Sequence, residues 1–170
     1  MRINMNRYTR IIIISVYENK EHSGETKIKH DLISIAMRYE TLEHTADILV
    51  KCTGKTMEEC FENAAYALFD QMVNADTIEH TMGFSFDIEE EDIEDRLYAF
   101  LSELLFMMDA DSAVMSKFIV KFDGSRLSCE AYGEQLDLSK HMPRTEIKAI
   151  TYHMMNIDPK GPSLTVLFDV

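Results

Sequence analysis

The sequence predicts an α+β fold: a mostly antiparallel or mixed sheet with two amphipathic helices packed on it, in a single two-layer domain. Three observations predict it. Two stretches, Met57 to Met72 and Ile93 to Met108, carry apolar residues at helical spacing. About six or seven others alternate apolar and polar residues with a period of two. The links between those strands are short, and short links join antiparallel neighbours.

Taken in order, residues 1–36 differ in character from the rest of the chain. They hold a β-like run, Ile11 to Tyr17, and then a polar stretch, Glu18 to His30, that reads as loop or disorder. We read 1–36 as an extension, either flexible or upstream of the start actually used, and 37–170 as the domain. Tyr39 to Glu43 is short and extended, and His44-Thr45-Ala46-Asp47 is a polar corner. Ile48, Val50 and Cys52 alternate with Leu49, Lys51 and Thr53, as in a strand with one drier face. Thr56-x-x-Glu59 has the pattern of a capping box. Behind it Met57, Cys60, Phe61, Ala64, Ala65, Leu68 and Met72 form one helical stripe, ending near Val73-Asn74.

Met82, Phe84, Phe86 and Ile88 alternate with Gly83, Ser85, Asp87 and Glu89, which predicts a half-buried strand. The acidic run Glu89 to Asp92 suits the positive end of the next helix. That helix carries Ile93, Leu97, Leu101, Leu104, Leu105 and Met108 and closes at Asp109–Ser112. Strands come next around Phe118–Phe122 and Leu127–Tyr132, joined by a hairpin turn at Asp123-Gly124 with positive φ at both positions. Gly133-Glu134 opens a polar link. Glu146 to Met154 reads as a strand, Asp158 to Pro162 as a turn, and Leu164 to Val170 as the last strand.

Composition narrows the function. A chain of 170 residues is one domain long enough to bury its own core. The net charge of -13, from 17 basic against 30 acidic side chains, argues against direct charge-driven binding of nucleic acid. No apolar run approaches the ~18 residues that cross a bilayer, so the expectation is a soluble, cytoplasmic protein with no membrane partner. Cys52, Cys60 and Cys129 show no C-x-x-C spacing and read as buried, reduced thiols. No glycine-rich phosphate loop, G-x-S-x-G, Cys/His nucleophile pair or H-E-x-x-H is present.

Two distant stretches stand out against this background. One is the corner ending in Asp47; the other is Phe168-Asp169-Val170. Brought together, Asp47, Asp169 and the Val170 carboxylate would form a cluster of hard oxygens, costly unless a cation sits in it. An Asp in a turn is more often a backbone cap, and an Asp near a chain end is often merely solvated. His44, Lys148 and His153 are candidate supporting residues, each with an ordinary alternative as a turn, surface or core side chain. Glu134, Asp137 and His141 are ligand-type residues without a zinc spacing.

Several phrases taken together resemble the archease family. They are Glu43-His44-Thr45-Ala46-Asp47-Ile48, Phe61-Glu62-Asn63-Ala64-Ala65, Leu101-Ser102-Glu103-Leu104-Leu105, Gly133-Glu134, Ile147 through His153, and Leu167-Phe168-Asp169-Val170. The likeness spans residues 37–170. It implies a non-catalytic protein cofactor of an RtcB-type RNA ligase in tRNA splicing, one that promotes guanylylation of the ligase, supports multiple turnover and broadens its nucleoside triphosphate use. Contact with tRNA would be indirect, through the ligase. It further implies a divalent cation, calcium with magnesium or manganese as alternatives, held by Asp47, Asp169 and Val170, with Lys148 and His153 on the same face. Oxygen donors suit such hard ions, and three are too few to close a calcium shell. The competing readings are a stand-alone metal-dependent hydrolase of phosphate esters or nucleotides, and a chaperone-like metal-binding protein.

Overall fold

The structure, a computed structural model, describes residues 38–170 together with the two-residue strand Ile14–Ser15. The expected run from Ile11 to Tyr17 otherwise lies outside the described residues, as do the polar stretch 18–30 and the proposed extension as a unit. The elements are β1 (Ile14–Ser15), β2 (Tyr39–Leu42), β3 (Ile48–Thr53), α1 (Met57–Met72), a 3-10 turn (Ala75–Thr77), β4 (Met82–Glu89), α2 (Ile93–Asp111), β5 (Ala113–Asp123), β6 (Arg126–Gln135), α3 (Leu138–His141), β7 (Ala149–Asp158) and β8 (Ser163–Asp169). The α+β class and the antiparallel pairing are as expected. The strands divide into two sheets: β4, β6 and β5 in that order with β1 at the β4 edge, and β2-β3-β8-β7. Every pairing is antiparallel. Both α1 and α2 contact strands of both sheets, so one core is shared by all the layers.

Local chemistry explains the helix starts. Thr56 caps α1, its hydroxyl accepting the Glu59 N–H at 3.2 Å. Glu59 reciprocates one residue early, accepting the Lys55 N–H at 2.7 Å, so the capping box is closed around the turn and not on the cap residue itself. Thr56→Ala should therefore cost about 1 kcal/mol in thermal or denaturant unfolding, the usual worth of a hydroxyl cap. Asp92 caps α2, accepting the N–H groups of Glu94 and Asp95 at 2.8 and 3.2 Å. Ser112 ends that helix in the left-handed conformation.

An aromatic ladder ties the elements together. Phe61 of α1 meets Phe100 of α2 at 5.9 Å and Phe122 of β5 edge-on at 5.0 Å, and Phe100 stacks on Phe86 of β4. Arg96, buried beside Phe122, donates to the Glu90 carbonyl at 2.8 and 3.1 Å. The three cysteines are free and buried; burial pushes the Cys60 thiol up to about 11 and the other two further. Burial in the core thus disfavours the reactive thiolate form of all three.

Four local expectations change. Strand β5 starts at Ala113, directly after α2, because Ser112 reverses the chain in a single left-handed residue. The hairpin turn is Gly124-Ser125, and only Gly124 has positive φ, the pattern of a type II′ turn. Gly133 and Glu134 belong to β6 and not to a polar link; the link holds the short helix α3. The strand expected at 146–154 is β7, displaced to Ala149–Asp158, and its alternation fails after Thr151 because the register with β8 shifts there.

Candidate functional site at one end of the second sheet

The register of the second sheet decides which distant residues meet. Ile48 pairs with Phe168, so Asp47, the residue before it, stands at the level of Asp169. On the other side of β8, Ala149 pairs with Asp169, and the Lys148 N–H donates to the Asp169 carbonyl at 2.8 Å. The start of β3, the end of β8 and the start of β7 thus share one end of one sheet. Stretches from opposite ends of the domain come to a common tip, with Asp47, Lys148, Asp169 and Val170 on it. Within β8 the Asp169 side chain lies on the face opposite Phe168, which is fully buried, and is exposed. Val170 packs against the core and anchors the tip from below.

His44 holds the corner. Its Nδ1 accepts the Asp47 N–H at 3.3 Å and lies 3.8 Å from Asp47 Oδ2. In that hydrogen bond Nδ1 is the acceptor, so the imidazole holds the turn through its bare ring nitrogen. The Asp47 side chain is about a quarter exposed (25%), open enough to reach a ligand and sheltered enough to be oriented. His153 does not join the tip. It is exposed on β7, four residues from the Ala149–Asp169 rung, where the register of the strand breaks.

The third group singled out in the sequence is a clamp. His141 is fully buried; its Nδ1 accepts the Asp137 N–H at 2.9 Å, which puts the ring proton on Nε2, donating to Glu134 Oε1 at 3.0 Å. Glu134 also accepts from Lys140 Nζ at 2.7 Å and from the Glu79 N–H at 2.6 Å. The His141 carbonyl takes the Asn74 N–H at 2.7 Å. With both ring nitrogens and the carboxylate engaged internally, this cluster ties β6 and α3 to the segment after α1. Burial works to raise the Glu134 carboxyl, but the bonds from Lys140, Glu79 and His141 outweigh it and hold the group below its usual range. A depressed carboxylate stabilises the fold above its unfolded pKa, and that stabilisation is lost as pH falls through the folded value. Glu134→Gln should be less stable than wild type at neutral pH, yet lose less melting temperature between about pH 5 and about pH 3.

Among the described residues, no three His, Cys, Asp or Glu side chains stand together as a metal site. The tip offers a different set: the side-chain carboxylates of Asp47 and Asp169 and the main-chain oxygen of Val170. All are hard oxygens, which fits calcium, magnesium or manganese and not a thiolate-seeking ion. Asp47, Asp169 and Val170 are the residues that would hold such an ion.

The comparisons with known proteins agree on one family. The model of the archease protein family (MTH1598/TM1083) matches residues 39–170. The chain is 46% identical over 125 residues to the protein archease of Pyrococcus abyssi, covering 71% of this chain and 88% of that one. The solution structure of Methanobacterium thermoautotrophicum protein 1598 is similar at a TM-score of 0.69 and 33% identity, over 78% of this chain and 99% of that one. A Thermotoga maritima crystal structure, described as an archease and possible chaperone, shares the fold at a TM-score of 0.54 and 24% identity, over 77% and 96%. Fold and tip together define a two-sheet α+β protein with Asp47 and Asp169 at one sheet end. The chain belongs to the archease family.

Proposed function

We propose that this protein is a non-catalytic activator of an RtcB-type RNA ligase in tRNA splicing. It promotes guanylylation and multiple turnover of the ligase and alters its nucleoside triphosphate specificity. The observation that carries the reading is the convergence of the Asp47 corner, the Lys148 end of β7 and the Asp169–Val170 end on one sheet end. A rigid acidic tip of this kind suits entry into a partner's active site, where a bound divalent cation supplies charge neutralisation and oxygen coordination. The residues themselves do two things. Asp47 and Asp169 present carboxylates, and His44 orients the Asp47 corner. The acidity of the molecule disfavours a direct grip on tRNA and favours a basic protein surface. Among the described residues no helix is long and apolar enough to cross a membrane.

The test is ligation by a limiting amount of an RtcB-type ligase with manganese and GTP, with and without this protein. More turnovers per ligase are expected with it. No effect on an active ligase sinks the proposal, and phosphate-ester or nucleotide hydrolysis by the protein alone would replace it with the hydrolase reading.

A further inference from the structure

Strand β7 leaves the register of β8 between Thr151 and Asn156. Thr151 pairs with Leu167 and Asn156 with Thr165, so four residues, Tyr152 to Met155, face the single residue Val166. The surplus chain bows away from the sheet. Met155 turns back against the core, whereas Tyr152, His153 and Met154 are exposed, Tyr152 and Met154 by about half (50% and 49%). Met154 has φ of 57°, the left-handed region in which a side chain is crowded against its own backbone. Strain of this kind persists where the surroundings impose it and gathers at sites of function.

The bow is rigid. The Tyr152 ring lies flat on Tyr98 of α2, with centroids 4.4 Å apart and planes 11° from parallel. Its hydroxyl donates to Asp95 Oδ1 at 2.8 Å. An aromatic ring and a thioether, both of which interfaces favour, are thus displayed on a fixed support beside the His153 imidazole. Around them the start of α2 is acidic: Glu91 and the cap Asp92 precede the first turn, Glu94 and Asp95 lie in it, and all four are exposed. A nucleic acid stacking on Tyr152 would bring its phosphates against these carboxylates. A basic protein surface would gain from both the ring and the rim. The position also matters. Tyr152 is three residues along β7 from Ala149, the partner of Asp169, so about 10 Å from the tip at ~3.3 Å per residue. A protein that engages the tip meets the bow in the same encounter.

We propose that Tyr152, His153 and Met154 form the docking surface for a basic protein partner, the same ligase that receives the acidic tip; this rests on the activator reading above. The two regions divide the work. The bow sets how tightly the proteins associate, and the tip sets what the associated pair can do.

The experiment is a calorimetric titration of the purified ligase with wild type, Met154→Gly, His153→Ala and Asp169→Asn, beside the turnover assay run to saturating activator. Glycine adopts the Met154 conformation freely, so Met154→Gly removes the thioether while keeping the bow. The expected result is a Kd weakened about tenfold or more in Met154→Gly and in His153→Ala, with full stimulation restored at saturation. Asp169→Asn should fail to stimulate even at concentrations that saturate the ligase. Bow variants that bind as wild type does overturn the docking assignment while leaving the activator reading intact. A wild type that neither binds nor stimulates overturns both. Single-stranded RNA binding by wild type that the bow variants lose would give the surface to nucleic acid and overturn the protein assignment.

Discussion

Asp169→Asn and Asp47→Asn should each leave a folded protein that has lost at least ~10-fold of its stimulation of ligase turnover. Losses of this size accompany the disturbance of even the outer partners of a metal site. Asparagine keeps the shape and one oxygen but removes the charge, so the change falls on charge and not on packing. The Asp169 side chain is exposed and points away from the core, so stability in metal-free buffer should change by no more than about 0.5 kcal/mol. A second readout is independent of the ligase. Millimolar calcium should raise the melting temperature of wild type by ligand linkage and leave both variants where they were. Variants that stimulate as wild type does would remove the tip from the mechanism. Variants that melt much earlier would show that the carboxylates are structural.

The largest effect on stability is expected at a residue far from the tip. Gly133→Ala should lower stability by about 3 kcal/mol or more, a fall in melting temperature of roughly 6–12 °C for a chain of this size. Gly133 is the crossing point of the first sheet, paired with Met82 on one side and Met115 on the other. Ser116 is an extra residue in β5, and the bulge it makes brings the neighbouring backbone over Gly133. A methyl there would lie 1.8 Å from the Val114 carbonyl oxygen and 2.7 Å from the Met115 Cα. Both are backbone atoms of a buried strand, so no side-chain rotation relieves the contact. Thermal unfolding within 2 °C or so of wild type would show that the sheet can spread to accept it.

Much of this architecture was legible in the sequence because period and position carried it. The α1 stripe from Cys60 to Met72 and the alternation of Phe84, Phe86 and Ile88 are local signals, and each of these residues is buried. The tip was legible for a different reason: the archease resemblance joined Asp47 to Asp169, which no spacing rule could do, and the β3–β8 register places them at one level. What was hidden depends on contacts between elements. Asp137 and His141 look like loose ligands when read along the chain, yet His141 is wholly buried and satisfied by Glu134 and the Asp137 backbone. Tyr152 read as the next member of an alternating strand. Its stacking on Tyr98 and the surplus residues beside it arise from the pairing with β8, which alternation alone does not encode. The single displaced turn at Gly124 is smaller in kind, a matter of which glycine-bearing turn type spans two residues.

The way the tip is built also bears on how its encounters are made. Asp169 sits on the last rung between β7 and β8, and Asp47 and Lys148 directly precede β3 and β7, so the tip is joined to the sheet and is no separate lobe. A partner receives a group already in its final shape, and association escapes the entropy that a folding segment would forfeit. The heat-capacity change of complex formation should then match the apolar surface covered at the contact, with no added contribution from chain that folds on arrival. Under the activator function proposed above, such a pre-shaped group would be withdrawn as readily as it is inserted, and so could serve successive rounds of turnover.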